Sequence, residues 1–157
     1  MDQDDIKTYQ LGVTQSSAYR SLNKLFSTLL KPHGLTSMQW FVLGTIYDGE
    51  TDGIQLSQLS AKLQTGLPFI TNTINLLESK GMVERRNSPT DSRSKQVTIT
   101  ETFRPTCQSI ESDLRQQLQR SLYAAITPED FQVYMKALAR ISELGVKHSD
   151  NRGKTAA

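Results

Sequence analysis

Cysteine and histidine are scarce in this 157-residue sequence, which has one Cys and two His. A single cysteine excludes an intramolecular disulfide framework and a zinc site built from several cysteines. With so few sulfur and imidazole ligands, a structural zinc ion would have to rely on carboxylates. We therefore expect no metal site and no bound cofactor.

Long apolar runs are also missing. No uncharged apolar run approaches the roughly 18 residues that a membrane span needs. Residues 1–10 are acidic and polar, which is not the pattern of a secretory signal. We expect a soluble, cytoplasmic protein without a membrane partner.

Charge of one sign is not in large excess. The 18 Lys and Arg residues against 16 Asp and Glu residues leave a net charge of +2. A general polyanion binder is usually more basic. If this chain binds nucleic acid, its positive charge must be concentrated locally.

The motifs of common enzymes are absent from the sequence as well. It contains no nucleophile–base pattern, no Gly-rich phosphate loop and no cluster of metal ligands. His33 and His148 stand apart, and neither belongs to a triad or metal-ligand pattern. We therefore predict that the protein is not an enzyme.

Helical periodicity dominates the start of the chain. Apolar residues recur at three- and four-residue steps and predict a helix over residues 6–31, which Pro32 and Gly34 end. Thr36, with Gln39 three positions later, predicts a capping box at the start of a second helix. The stripe of the first helix consists of Tyr19, Leu22, Leu25, Phe26, Leu29 and Leu30.

The second helix is predicted to end in a turn-rich loop at residues 48–53. Residues 54–56 can then form a very short strand. Ser57 is placed to cap a short helix over residues 58–63, and residues 64–66 favour a tight turn.

A longer helix is predicted over residues 67–80. Pro68 is tolerated in its first turn, because the missing N–H has no intrahelical partner there. Gly81 stands where a helix often ends in a left-handed residue. The inward face is formed by Ile70, Ile74 and Leu77.

The periodicity then changes from 3.6 to 2, which predicts strands at residues 82–86 and 96–100. Between them, residues 87–95 are polar and longer than a tight turn requires. Over residues 78–95, five basic side chains against three acidic ones give +2, which equals the excess of the whole chain. The positive charge is therefore placed at the predicted hairpin.

The C-terminal third predicts two more helices. The first is about 25 residues long, and Pro105 predicts that it starts late or bends. Thr127 caps the second, and residues 148–157 have no pattern, which is typical of a flexible tail. The stripe of the first consists of Phe103, Cys107, Ile110, Leu114, Leu118, Leu122 and Ala125.

This order of elements predicts a mainly α (α+β) fold, a winged helix-turn-helix at residues 36–100. Such a domain brings one helix to the DNA major groove. The helices at residues 1–35 and 101–147 carry apolar stripes with no sheet to cover them, so we expect them to be buried against a second copy of the chain. Residues 148–157 are predicted to form a flexible C-terminal tail.

Four stretches resemble the MarR family of bacterial transcriptional regulators: residues 35–43 (LTSMQWFVL), 56–63 (LSQLSAKL), 77–85 (LESKGMVER) and 91–95 (DSRSK). The resemblance covers residues 35–101. It implies a homodimeric DNA-binding regulator whose two winged domains face successive major grooves of a pseudo-palindrome.

The resemblance also implies roles at the hairpin. Arg93, which matches the Asp-x-Arg motif of the family, is expected to enter the minor groove, where a narrow A·T-rich groove concentrates negative potential. Asp91 is expected to structure the wing by pairing with a basic side chain. Lys95 and Arg86 are candidates for phosphate contacts, and the alternative for each is a solvated surface charge.

The recognition helix departs from the family pattern of small polar residues followed by an arginine. Its candidate DNA-binding residues are Pro68, Phe69, Thr71, Asn72 and Asn75. Phe69 is expected either to contact a thymine methyl group or to pack under the wing or between helices. Asn72 or Asn75 is expected to bind adenine through a bidentate pair. Because the helix has few charges, backbone contacts should supply most of the affinity.

Members of the family often bind small, commonly anionic aromatic effectors in a crevice beside the winged domain. Here a crevice would be lined by Phe26, Leu29, His33 and Trp40. The alternative is that these residues form ordinary packing. Some members sense oxidants through a cysteine, but Cys107 lies on an apolar stripe, and we expect a buried thiol without a cationic neighbour to be inert.

These observations predict a ligand-responsive repressor that binds double-stranded DNA as a homodimer. The alternative is a winged-helix protein-interaction module that does not bind DNA. The low net charge and Phe69 favour the alternative, whereas the basic hairpin with Arg93 and Lys95 favours DNA binding.

Overall fold

The computed structural model describes residues 5–49, 53–87 and 95–152. The chain divides into two compact units, Met1–Ile110 and Glu111–Ala157. The boundary between them falls inside one helix. The segments predicted from the sequence, with boundaries at residues 35, 100 and 147, are defined by expected role and do not coincide with these two units.

The first unit opens with helix α1, Thr8–Leu30, followed by a 3₁₀ turn, Lys31–His33, and helix α2, Ser37–Asp48. Gly34 ends the turn with a φ of +67°. The predicted capping box of α2 is confirmed, because the Gln39 N–H donates to Thr36 Oγ1 at 3.2 Å and the Thr36 N–H donates to Gln39 Oε1 at 3.1 Å. These bonds satisfy two backbone donors that the first turn leaves unpaired.

Helices α3, Leu56–Lys62, and α4, Leu67–Ser79, form the helix-turn-helix. The prediction that Ser57 caps α3 is wrong. The helix begins two residues earlier than predicted, and the cap position is Gln55, whose N–H donates to Gln58 Oε1 at 3.0 Å. A glutamine three residues into the helix supplies this bond, so a serine is not needed at the cap.

Strands β1, Val83–Asn87, and β2, Lys95–Ile99, pair antiparallel, with Val83 opposite Ile99 and Asn87 opposite Lys95. Compared with the predicted strands, β1 is shifted one residue toward the C-terminus and β2 one residue toward the N-terminus. The short strand expected at 54–56 is reduced to a single bridge between Ile54 and Val97, because the chain enters α3 at once.

The core of the first unit lies beneath the helix-turn-helix and the wing. From α4 it contains Ile70, Ile74 and Leu77, as the helical stripe predicts. The other fully buried large side chains of this unit are Leu30, Val42, Leu43, Ile46, Leu59, Val83 and Val97. Tyr19, which was assigned to the apolar stripe of α1, is 65% exposed.

The predicted 25-residue helix is interrupted. Helix α5 covers Arg104–Arg120, helix α6 covers Leu122–Ala125, and helix α7 covers Pro128–Arg152. The expectation that Pro105 delays or bends the helix is wrong, because Pro105 is the second residue of α5, where its missing N–H breaks no bond. Helix α7 includes five residues of the predicted tail, and residues 153–157 lie outside the described part.

Thr127 caps α7 as expected, since its Oγ1 accepts from the Asp130 N–H at 3.1 Å. The apolar face of α7 is only partly covered. Phe131, Tyr134 and Leu138 are half-buried, and Ile141 is 52% exposed. The helix therefore has apolar side chains that the single chain leaves in water.

The single cysteine, Cys107, is 4% exposed on α5. Burial raises the pKa of its thiol to about 11, and Arg104, one turn earlier, lowers that pKa by less. The predicted burial and raised pKa are confirmed, but the expectation that no cation lies nearby is wrong. Desolvation outweighs the single charge.

Gly53 lies where only glycine fits. Its φ is +79°, and a Cβ built there would lie 2.7 Å from Thr98 Cγ2 and 2.9 Å from the Val97 carbonyl oxygen. We expect Gly53→Ala to lower the free energy of unfolding by at least about 2 kcal/mol, since an L-residue is strained at positive φ. Urea denaturation followed by circular dichroism measures this change.

Gly44 is the matched control, because it lies inside α2 and a Cβ there meets no atom within 4 Å. Gly44→Ala should raise the free energy of unfolding by roughly 0.5–1 kcal/mol, since alanine favours the helix. Similar unfolding midpoints for the two variants would contradict the account of Gly53.

The thiol of Cys107 should react slowly with iodoacetamide in the folded protein. With a pKa of about 11, the thiolate fraction at pH 8 falls about 100-fold below that of an unperturbed thiol. Mass spectrometry of time points with and without 8 M urea (roughly a fully denaturing concentration) measures the ratio of rates. Equal rates in both conditions would show that the thiol is accessible.

Candidate nucleic-acid interface

The inner face of α4 fixes its orientation. Ile70, Ile74 and Leu77 are each 0% exposed, which places them at three- and four-residue steps in the core. The opposite face is therefore turned to the solvent. Among the predicted site residues, Pro68, Phe69, Asn72 and Asn75 are exposed on this helix, and Thr71 is half-buried.

Phe69 is 48% exposed, and it is accompanied by two other exposed apolar side chains of α4, Leu67 at 47% and Leu76 at 45%. A shallow groove of about 280 Å³ lies between the start of α2 and this face. Its lining residues are Thr36, Met38, Gln39, Phe69, Asn72, Thr73 and Leu76. Packing therefore leaves about half of the Phe69 surface accessible, and the groove runs beside it.

The polar residues of α4 differ in their partners. Thr71 Oγ1 donates to the Leu67 carbonyl at 2.9 Å, so its hydroxyl hydrogen is used inside the helix. Asn75 Oδ1 accepts from Arg85 Nη2 at 2.7 Å. Asn72 is exposed at the rim of the groove. Of the two asparagines, Asn75 is thus the one whose side-chain amide is hydrogen-bonded to Arg85.

Arg85 ties the wing to the recognition helix. It projects from β1, is 22% exposed, and forms an ion pair through Nη1 with Glu78 Oε2. Because Asn75 and Glu78 are three residues apart on α4, one guanidinium group reaches both. Sequence reasoning counted Arg85 only as a charge and missed this bridge, although the spacing of Asn75 and Glu78 on one helical face is a signal for it.

A second ion pair lies on β1. Arg86 Nε donates to Glu84 Oε1 at 2.9 Å, and Nη2 contacts the same oxygen. Both side chains are substantially exposed, so the pair is weak and either partner can be exchanged for another charge. Arg86 remains a phosphate candidate whose charge Glu84 offsets in the free protein.

Lys95 begins β2 opposite Asn87 and is exposed. Within the described residues, no carboxylate forms an ion pair with Lys95. Lys80 is also exposed, and its Nζ lies 3.4 Å from the Gly34 carbonyl oxygen. These two lysines are the described cations of the 78–95 segment that no carboxylate offsets.

The tip of the hairpin, residues 88–94, is not among the described residues. The predicted roles of Asp91 in structuring the wing and of Arg93 in the minor groove fall in this tip. The strands that flank it are paired up to Asn87 and Lys95, which lie opposite each other.

The four residues of the predicted effector crevice lie in the first unit. Phe26 contacts Phe41 edge-on, with ring centroids 5.8 Å apart. Leu29 is 9% exposed, whereas His33 and Trp40 are half-buried.

Over residues 5–49, 53–87 and 95–152, no group of three His, Cys, Asp or Glu side chains is arranged to hold a metal ion. No helix in this part of the chain is long and apolar enough to cross a membrane.

A model of the MarR family matches residues 33–94. This segment contains α2, α3, α4 and β1, so the family match coincides with the helix-turn-helix and the first strand of the wing.

Solved structures are similar over most of the chain. A cysteine-to-serine mutant of MarR from E. coli, complexed with operator DNA, has 25% sequence identity and a TM-score of 0.73, covering 83% of this chain and 92% of that one. CouR from Rhodococcus jostii RHA1, bound to p-coumaroyl-CoA, has 21% identity and a TM-score of 0.75, covering 83% and 90%.

The MepR–DNA complex of S. aureus has 19% identity and a TM-score of 0.68, covering 88% of this chain and 98% of that one. At these low identities the last two likenesses concern the fold. Together with the family match over residues 33–94, they confirm the winged-helix prediction, and this segment of the chain is similar to the MarR family of transcriptional regulators.

Proposed function

We propose that this protein is a sequence-specific regulator of transcription that binds double-stranded DNA as a homodimer on a pseudo-palindromic operator. Helix α4 enters the major groove, and the β1–β2 hairpin contacts the adjacent backbone and minor groove. The protein acts as a repressor that a small aromatic or anionic effector releases from DNA. It has no enzymatic role in this proposal.

One observation carries the proposal: α4 is anchored by three side chains with 0% exposure and presents Phe69, Asn72 and Asn75 to the solvent. An α-helix fits the major groove, where amide and apolar side chains can distinguish base pairs. The paired strands beside it carry Arg86 and Lys95, which are suited to phosphate contacts.

The relatives support the same assignment. The E. coli MarR mutant was solved with operator DNA, and MepR of S. aureus was solved with DNA. CouR was solved with p-coumaroyl-CoA, an aromatic and anionic compound. We extend DNA binding and effector response from those proteins to this chain, and we assign the effector to the residues around Phe26, Leu29, His33 and Trp40.

Exposed apolar side chains support the homodimer. On α7, Val133 is 67% exposed, Ile141 52% and Leu144 58%, and these three share one stripe of the helix. On α1, Tyr9 is 63% exposed and Val13 60%. Helices with such faces are stabilised by burying them against a second copy.

The second candidate is a protein-interaction module. The exposed apolar side chains Phe69 and Leu76, which share one face of α4, favour it, because a helix face of this kind can also bind a protein groove. Fluorescence anisotropy with DNA fragments selected from a random pool separates the two candidates. No binding to any DNA at low salt would favour the interaction module.

We expect Lys95→Ala and Arg93→Ala each to weaken binding to the selected operator. Removing one phosphate or minor-groove cation should lower the slope of log affinity against log salt by about one. Titrations at several salt concentrations measure that slope. Lys136→Ala is the control, because Lys136 is exposed on α7 and has no role in the proposed interface. An unchanged slope for Lys95→Ala would remove Lys95 from the interface.

The double variant Ile141→Asp with Leu144→Asp should weaken dimerisation by about 100-fold or more, since each charge would be buried without a partner. Sedimentation velocity should then show the mass of one chain where the wild type shows twice that mass. Ala139→Asp, exposed on another face of α7, should leave the dimer intact. A wild-type mass of one chain would refute the homodimer.

A further inference from the structure

The bridge between Arg85 and Asn75 has a consequence for how α4 reads DNA, and this inference rests on the proposed function. Asn75 Oδ1 accepts from Arg85 Nη2 at 2.7 Å, while Arg85 Nη1 pairs with Glu78. The guanidinium group is thus held at both ends.

The charge of Arg85 decides which way the Asn75 amide points. If the amide were flipped, Nδ2 would face the guanidinium N–H groups, and two donors would meet in place of a charge-assisted hydrogen bond. The observed orientation therefore directs Oδ1 to Arg85 and turns the two N–H groups of Nδ2 away from it. Asn75 is exposed on α4, so a partner of the helix can reach this side chain.

Adenine recognition by asparagine needs both a donor and an acceptor, because the amide donates to N7 and accepts from the N6 amino group. The Asn75 oxygen already accepts from Arg85, and the positive guanidinium beside it disfavours a second donor such as the N6 amino group, so the groups that Asn75 offers to a base are its two N–H donors. Guanine is the base whose major-groove edge presents two acceptors, N7 and O6. Asn72, three residues earlier, is exposed and is not part of this bridge.

We infer that Arg85 is a positioning residue that fixes Asn75 as a hydrogen-bond donor, so that Asn75 selects guanine while Asn72 remains the residue suited to adenine. This assigns different specificities to two identical side chains on one helix. It also gives Arg85, which faces Glu78 and not the DNA, an effect on base choice.

The test is a base-preference profile of the full-length protein. The operator is first obtained by selection from a random DNA pool with the wild type. Each half-site position is then changed to all four bases, and affinities are measured by fluorescence anisotropy. We expect one half-site position at which the wild type prefers guanine over the other bases by about tenfold. Asn75→Ala should bind all four bases equally at that position, because it lacks the base contact.

Two further variants test the orientation. Asn75→Asp should keep the contact to Arg85 but present an acceptor, so the preference should change from guanine to cytosine, whose N4 amino group donates. Arg85→Lys retains a cation for Glu78 but loses the planar fork, and the released amide should gain affinity for adenine at the same position. Asn72→Ala is the control and should leave this position unchanged.

Several results would overturn the inference. One is a wild type that prefers adenine at the position affected by Asn75→Ala. Another is an Arg85→Lys variant that is folded by circular dichroism and lowers affinity equally for all four bases. A uniform loss with Asn75→Ala would assign Asn75 to the phosphate backbone. Selection that enriches no sequence with the wild type refutes the proposed function itself, which is a different outcome.

Discussion

The burial of Ile70, Ile74 and Leu77 is the constraint on which the rest of this structure depends. These side chains have no exposed surface, and fully burying one aliphatic side chain contributes about 1.5–3 kcal/mol. A rotation of α4 about its axis would expose them and bury Asn72 and Asn75. The core thus determines which residues the helix offers to a partner, and the wing, paired to the same unit through Val97 and Ile54, completes the surface.

Charge at this surface is more balanced than the count of basic residues suggests. Arg85 and Arg86 each pair with a glutamate from the same segment, which leaves Lys80 and Lys95 as its described cations without a carboxylate partner. Because non-specific affinity for DNA depends mainly on phosphate neutralisation, a surface of this kind favours contacts of defined geometry over general attraction. This agrees with a net charge of only +2 over the chain.

Local chemistry was predictable from the sequence, and long-range partners were not. The capping box at Thr36, the left-handed Gly81 at φ +70° and the buried stripe of α4 follow from spacings of three or four residues. The cap at Gln55 and the break at Ser121 were missed, since a glutamine is not a preferred cap and the apolar stripe continues across the break. The bridge from Arg85 to Asn75 joins residues ten apart on a strand and a helix, and its geometry depends on how the wing packs.

A recognition helix without lysine or arginine can still be selective if its neutral polar groups are held in one orientation. A free amide can present its donor and its acceptor together, which is the pair that adenine recognition requires. An amide fixed by a guanidinium group cannot rotate without losing a charge-assisted hydrogen bond, and a mismatched base then faces a donor without an acceptor. Because the fixing residue belongs to β1, the wing can influence base choice through α4 without itself touching a base.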